Sequence, residues 1–271
     1  WEYHHDMVQK PNGNYIALVE NGPERLNSDI AEIDRNGVFV NFWDTDASLK
    51  SDRFNYYPNE DWLHLNSVDY DESDNSIVIS GKHGACAKLN AQNEVIWILA
   101  PHSGYNNIGW EADYQPFLLH PIDANGDLHP QNVADGYATG ADGFEWPYQH
   151  HSARLNGNKL LIFDNGFGRH FIDNHNANNY SRVVEYTIDV TNKTIHQDFE
   201  YGKNRLDLYS IIVSTVDKTD SNYLMCSGMT GKIVEVSAEG NVLFEALVQT
   251  NPIVNPVIKF YSAYYFRFPV L

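Results

Sequence analysis

The chain has 271 residues and a formal net charge of −18, because 36 acidic side chains face 18 basic ones. This excess of negative charge argues against nucleic acid or an anionic membrane surface as the main partner. The sequence contains no run of 18 or more apolar residues, so it predicts no membrane insertion through a helix. Aromatic residues make up 13% of the chain, which favours strands over helices.

Four units along the chain share a plan of short strands separated by tight turns. They run from about His4 to Asp44, from about His64 to Leu99, from His150 to about Tyr201, and from Ile211 to Val248. Alternating apolar residues closed by Asn-Gly-type turns are typical of antiparallel meanders. The repeats therefore predict an all-β fold, a β-propeller of which this chain covers about four blades plus a C-terminal strand.

Two stretches interrupt this pattern. Residues 100–143 are rich in Gly, Pro, Asn and Asp, and residues 169–180 form a second insertion inside the third unit. A connection as long as the first is usually a lid or a binding loop. Within it, Asp123–Asp127 resembles a calcium loop but lacks the later bidentate Glu, so we interpret it as a turn. Cys86 and Cys226 match no metal-ligand spacing and are predicted to be core residues.

Histidines open three of the four units. His4 and His5 precede the predicted strand at Asn14–Val19, and His64 precedes the one at Ser76–Ile79. His150 and His151 open the third unit. The innermost strand of each propeller blade faces the central channel, so equivalent strand starts are expected to meet at its mouth. Any one of these histidines alone is more simply explained by packing against aromatics. Recurrence at three equivalent positions favours a shared site.

Imidazoles beside a cation suit an anion with several oxygens, such as sulfate or phosphate. Lys82 closes the strand that follows His64 and Asn66, so it could reach the same pocket, although a solvated surface amine is the alternative. A cation there would stabilise negative charge on the oxygens as a sulfuryl or phosphoryl group moves. A neutral imidazole could act as nucleophile while others donate a proton. No His-x-x-x-His pattern occurs, so no metal ligands are predicted.

Several of these segments together resemble the bacterial arylsulfate sulfotransferases. The resemblance rests on Asp61–Asp71, Asn75–His83, Gln149–His150, Tyr180–Tyr186, His4–Asp6, Pro11–Asn14 and Tyr264–Pro269. It covers nearly the whole chain, and its His-x-Asn and Gln-His motifs are fairly specific.

The resemblance implies a six-bladed propeller preceded by a small β-sandwich. Residues 1–271 would be a single propeller domain, N-terminally truncated, that lacks the sandwich and the first blades. It also implies a periplasmic, PAPS-independent enzyme whose signal peptide is not in this chain. Such an enzyme uses no metal or organic cofactor, and its partners are small-molecule phenols and aryl sulfates. The oligomeric state is left open, with a homodimer as one alternative.

Residue roles follow from the resemblance position by position. His150 would be the nucleophile that becomes sulfohistidine in a ping-pong reaction, although either member of the His150–His151 pair could present its ring. His64 and Asn66 would hold the sulfate oxygens.

The remaining roles fall on the first unit and on Lys82. His4 or His5 would assist the phenolic oxygen, and Lys82 stands where the family usually has arginine, which keeps the charge but loses the planar two-pronged donor. Two other functions remain open at this point: a non-catalytic propeller that binds a ligand or protein, and a metal-dependent propeller hydrolase.

Overall fold

A computed structural model describes residues 2–20, 29–49, 62–103, 105, 113–171, 179–219 and 221–248. Within these ranges the chain is mainly strand, with two short helices, α1 (Thr45–Leu49) and α2 (Gln131–Ala134). None of the helices in this part of the chain is long and apolar enough to cross a membrane. The expected C-terminal strand at Tyr264–Pro269 lies outside the described residues.

The strands form four successive antiparallel meanders, the blades of a β-propeller. Blade one contains β1 (Glu2–Gln9), β2 (Tyr15–Glu20), β3 (Asp29–Ile33) and β4 (Phe39–Asp44). Blade two contains β5 (Leu65–Asp71), β6 (Ser76–Gly81), β7 (Cys86–Leu89) and β8 (Val95–Leu99). The four predicted units are confirmed, because each corresponds to one of these sheets and the other two blades repeat the plan.

Blade three gains a strand that the repeat pattern does not predict. Its meander consists of β10 (His151–Asn156), β11 (Lys159–Asp164), β12 (Arg182–Asp189) and β13 (Thr194–Tyr201), and β9 (His120–Pro121) pairs in parallel with β13. Blade four contains β14 (Thr215–Thr219), β15 (Asn222–Ser227), β16 (Lys232–Val236) and β17 (Val242–Leu247).

The blades pack face to face through their buried aliphatic and aromatic residues. Successive side chains of a strand point to opposite faces. In β6, Ile77 and Ile79 therefore join the cluster shared with blade one, whereas Val78 joins the cluster shared with blade three. A third cluster joins blades three and four, with Phe163 and Met225 among its members. Three cores in series hold neighbouring blades in fixed relative positions.

The long connection between blades two and three is packed rather than open where the structure describes it. Leu118 and Leu119 are fully buried in the two clusters that flank blade two. The segment Asp123–Asp127 is a turn, as predicted, in which the Asp123 carboxylate accepts hydrogen bonds from the backbone N–H groups of Asn125 and Asp127. Ala100 and Pro101, at the start of the connection, line the recess described below, and the role of the connection as a lid or binding loop stays a prediction.

Irregularities of the innermost strands position the site. The register between first and second strand shifts between Tyr3 and Met7 in blade one, between Leu65 and Ser67 in blade two, and between His151 and Arg154 in blade three. Such bulges re-aim side chains, and they occur often beside active sites. His5, His64, Gln149 and Ser152 also have positive φ angles, of 52°, 51°, 54° and 58°. Non-glycine residues hold this conformation only where the surroundings impose it.

Candidate functional site

A row of imidazoles crosses from blade one to blade two. The Nδ1 atoms of His4 and His5 lie 2.7 Å apart, within hydrogen-bond distance. The ring centroids of His5 and His64 are 5.3 Å apart, and those of His64 and His83 are 5.5 Å apart. The structure thus brings the predicted residues His4, His5 and His64 together and adds His83, which the sequence analysis missed.

Asn66 connects blade two to the His150–His151 pair. Its amide nitrogen donates a hydrogen bond of 2.8 Å to the backbone carbonyl of His150, and both side chains are buried. The amide oxygen of Asn66 is buried with no hydrogen-bond partner among the residues that the structure describes. The hydrogen bond from the amide nitrogen gives Asn66 a role in positioning the backbone of His150.

Ser80 defines the orientation of the His150 ring. Its hydroxyl lies 2.8 Å from Nδ1 of His150, and Ser80 itself is fully buried on β6. The hydroxyl can donate to Nδ1 or accept from it, and when Nδ1 carries the ring proton and donates it to Ser80, the lone pair that can attack a substrate is on Nε2. Sequence reasoning missed Ser80 because a small polar residue in a buried strand gives no signal of its own.

His151 is held in one tautomer by Asn165. The amide nitrogen of Asn165 donates to the backbone carbonyls of Ser210 (2.6 Å) and Val213 (3.0 Å), so its oxygen must face His151. This oxygen lies 2.7 Å from Nδ1 of His151. Because an amide oxygen only accepts, the imidazole proton is on Nδ1 and the lone pair is on Nε2.

Burial also keeps His151 neutral. Burial, together with the charges of Lys82, His64 and His150, lowers the pKa of His151 from 6.5 to about 3, although the hydrogen bond with Asn165 acts in the opposite direction. Lys82, His64 and His150 therefore lie near enough to the His151 ring for their charges to affect its pKa.

The stability of the protein should therefore fall on acidification in a way that depends on His151. Unfolded His151 binds a proton below about pH 6.5. The folded residue stays neutral until about pH 3. The stabilisation is complete above pH 6.5 and is lost as the pH falls towards 3, by about 3 kcal/mol at pH 4. In urea titrations at several pH values, His151→Gln should show a shallower acid loss of unfolding free energy than the wild type. Equal slopes would contradict a buried neutral imidazole.

Lys82 sits at the end of β6, where two backbone hydrogen bonds fix its loop. Lys82 N–H donates to the carbonyl of His64 (3.0 Å), and His83 N–H donates to the carbonyl of Leu63 (3.2 Å). The neighbouring Gly81 is required by packing, because a Cβ there would lie 2.3 Å from a methyl carbon of Leu63. The cationic side chain is consequently placed beside the start of the blade's innermost strand.

A recess of about 530 Å³ adjoins the histidines between blades two and three. Lys82, His83, Gln149 and His150 supply its polar side. Its apolar side is formed by Leu99, Pro101, Pro147, Tyr148, Phe167 and Phe171. This combination of a cation, imidazoles and aromatic walls suits a small molecule that joins an oxyanion to an aromatic ring.

Buried ion pairs hold the backbone that leads into His150. Asp164 Oδ1 accepts a hydrogen bond of 2.8 Å from Tyr148 N–H, and Gly166 N–H donates to the Tyr148 carbonyl at 2.9 Å. Arg169 and Arg182 each contact Asp164 Oδ2, at 3.0 and 2.8 Å. Every charged group of this trio is almost completely buried.

Glu145 joins Asp164, Arg169 and Arg182 in one buried ion cluster. Burial opposes its ionisation, but a hydrogen bond from His170 and the charges of Arg182 and Arg169 hold the pKa of this carboxyl well below its usual range. Sequence reasoning missed the cluster, because its members are spread over nearly forty positions and none forms a recognisable motif.

Other histidines serve different parts of the fold. His102 Nε2 lies 2.9 Å from the Leu119 carbonyl, His129 lies 3.3 Å from the Asp142 carboxylate, and His170 lies 3.4 Å from Glu145. Within the described ranges, no group of three or more His, Cys, Asp or Glu side chains is arranged to hold a metal ion.

Comparison with known proteins gives a consistent result. The family model described as Arylsulfotransferase (ASST) matches residues 1–258. Arylsulfate sulfotransferase AssT from Escherichia coli O6:H1 (strain CFT073) is 31% identical over an alignment of 273 positions. The alignment covers 83% of this chain and 44% of that protein. Arylsulfate sulfotransferase AssT from Lelliottia amnigena is 36% identical over 159 residues, which cover 58% of this chain and 25% of that protein. The chain therefore spans less than half the length of these relatives.

Similar solved structures are more distant. Virginiamycin B lyase from Staphylococcus aureus is 12% identical with a TM-score of 0.44, and the match covers 91% of this chain and 70% of that one. The WD40 domain of Toxoplasma gondii coronin is 9% identical with a TM-score of 0.43, covering 87% of this chain and 43% of that one.

Proposed function

Because the chain belongs to the arylsulfotransferase family, we propose that it transfers a sulfuryl group from an aryl sulfate to a phenol through a sulfohistidine. The observation that carries the proposal is that Lys82, His83 and His150, from two blades, line one recess with aromatic walls, and that His83 continues through His64 to His5 in a row of imidazoles. The two relatives are named for an activity of this kind.

The first half-reaction forms a bond between Nε2 of His150 and sulfur as the bond from sulfur to the phenolic oxygen breaks. The electron pair of the broken bond leaves with the phenolate, which takes a proton from His64 or from the His4–His5 pair. Lys82 stabilises the charge on the sulfuryl oxygens during transfer. Asn66 and Ser80 keep the His150 ring in place through its carbonyl and Nδ1.

The second half-reaction reverses these steps with a new phenol. The acceptor gives its proton to the same imidazoles, its oxygen bonds to sulfur, and the nitrogen–sulfur bond breaks. The donor of the sulfuryl group is thus the aryl sulfate itself, without PAPS and without a metal or organic cofactor. His151 stays neutral and supports the pocket without adding a further positive charge.

Intact mass spectrometry after incubation with 4-nitrophenyl sulfate tests the proposal directly. We expect a gain of one sulfuryl group, mapped to His150, that disappears when phenol is added. Binding of the aryl sulfate without any mass gain would instead indicate a non-catalytic propeller. Loss of phenol release after chelation, with stoichiometric metal in the purified protein, would indicate a metal-dependent hydrolase.

The proposal extends to the setting of the protein. We place it in the periplasm, as a single propeller domain over residues 1–271, with a homodimer as the assembly to test. Cell fractionation and light scattering address these two points separately from the chemistry.

A further inference from the structure

We propose that the recess between blades two and three binds the aromatic ring of donor and acceptor, and that Phe167 and Phe171 determine which phenols react. This inference rests on the proposed function, because it assigns the substrate ring to a particular surface of the same site. The substrate class it names is a phenol whose ring carries no charged substituent on the edge that faces the two phenylalanines.

The first step of the argument is the division of the recess into two sides. Lys82 and His150 lie on the polar side, where the sulfuryl group must be for transfer to occur. The ring of an aryl sulfate is joined to sulfur through one oxygen, so it must lie within a few ångströms of His150. Pro147, Phe167 and Phe171 form the apolar side of the same recess that His150 lines, so they offer the ring an apolar, largely aromatic surface.

The recess is open at one end. It meets solvent at Phe167, whose side chain is 36% exposed, so a ring lying in the recess would keep its outer edge towards water. No charged residue lies on its apolar side, so a charged ring substituent there would lose hydration without gaining a partner.

The segment that presents the two phenylalanines has a strained backbone. Gly166 and Gly168 have φ angles of 76° and 70°, and His170 and Phe171 both have φ angles of 58°. At Gly166 a Cβ atom would lie 2.0 Å from the Tyr180 carbonyl oxygen, so no other residue fits there. A conformation of this kind persists only where the surrounding structure imposes it, and it is concentrated at functional sites.

Arg169 holds the segment 166–171 in this strained conformation. Between the two phenylalanines, its guanidinium reaches inward to Asp164 at 3.0 Å and to the Tyr180 carbonyl at 3.2 Å. Phe171 then packs edge-on against the rings of Tyr148 and Tyr137, with centroid distances of 5.9 and 5.6 Å. The buried ion cluster therefore fixes Arg169, and Arg169 fixes the direction of both neighbouring aromatic side chains.

Steady-state kinetics on Phe167→Ala and Phe171→Ala test the assignment. Loss of one aromatic contact should raise KM for 4-nitrophenyl sulfate about fivefold, because such contacts contribute roughly 1 kcal/mol beyond simple burial. The value of kcat should change much less, since neither ring touches the transferred group. Phe244→Ala is the matched control, because Phe244 is an aromatic residue on β17 that is 52% exposed and outside the recess.

Equilibrium binding separates this inference from the reaction mechanism. Titration calorimetry with 4-nitrophenol requires no turnover, so it reports on the recess even if no sulfuryl transfer occurs. We expect weaker binding in both phenylalanine variants and near-wild-type binding in Phe244→Ala. Unchanged affinity and unchanged KM in Phe167→Ala, whose side chain is partly exposed and tolerates truncation, would refute the recess as the ring site. Loss of mass labelling in the wild type would refute the proposed function alone.

Discussion

His150→Ala should abolish sulfuryl transfer from 4-nitrophenyl sulfate to phenol, with a loss of kcat on the order of 10⁴-fold or more, as expected for removal of a covalent nucleophile. The physical reason is that, in the proposed mechanism, Nε2 of His150 is the atom that bonds to sulfur, and water at the same place is a far weaker nucleophile. The measurement is the release of 4-nitrophenol followed by absorbance. The variant should also gain no sulfuryl group in intact mass spectra.

The fold should survive this substitution. Truncation removes the partner of the Ser80 hydroxyl, and a buried hydroxyl left without a hydrogen bond costs about 1–3 kcal/mol. Ser80→Ala is the informative companion, because it keeps the nucleophile and frees the ring to rotate. It should lower kcat well below wild type while mass labelling of His150 remains. Labelling of His151 in the His150→Ala protein, with substantial turnover, would instead assign the nucleophile to the second histidine of the pair.

Much of the fold could be predicted from local signals. Asn36-Gly37 and Asn156-Gly157 close hairpins between runs of alternating apolar residues, and this pattern locates the meanders without any knowledge of distant contacts. Strand β9 could not be found in this way. It has two residues, His120 and Pro121, and its partner β13 lies more than seventy positions further along the chain.

The site was only partly predictable for a similar reason. Recurrence of histidines at equivalent strand starts identified His5, His64 and His150, because a repeat makes equivalent positions visible in one sequence. Asn165 follows a buried strand and gave no such signal. Its role depends on carbonyls of blade four, which pull its amide nitrogen away and turn its oxygen towards His151.

Phe167 illustrates a second limit of sequence reasoning. The sequence shows it only as part of Gly166-Phe-Gly168, a glycine pair that does not indicate a phosphate-binding loop because no predicted helix follows it. The structure shows the same glycines permitting a turn that places an aromatic ring at the rim of the recess. The two glycines thus indicate a segment that can adopt positive φ angles. The direction in which Phe167 points depends on Arg169 and the ion cluster beneath it.

Lys82→Met should lower kcat for sulfuryl transfer by about 10²–10³-fold, the usual effect of removing one group that stabilises transition-state charge. The reason is that negative charge on the sulfuryl oxygens has no other permanently cationic side chain among those that line the recess. Methionine keeps a similar length and an unbranched shape. Lys159→Met is the matched control, because Lys159 pairs with Asp198 on the exposed part of blade three and does not line the recess.

Lys82→Arg distinguishes the charge of this side chain from its shape. Arginine keeps the charge and adds a planar, two-pronged donor that matches two sulfuryl oxygens at once, so kcat should equal or exceed that of the wild type. A rise would show that lysine at this position costs catalytic efficiency relative to the arginine that is usual in the resembling enzymes. A loss as deep as that of Lys82→Met would mean that the pocket needs the compact ammonium, because the loop fixed by the His64 and Leu63 carbonyls leaves no room for the guanidinium. Equal rates for Lys82→Met and wild type would remove Lys82 from the reaction and leave the imidazoles to stabilise the sulfuryl charge alone.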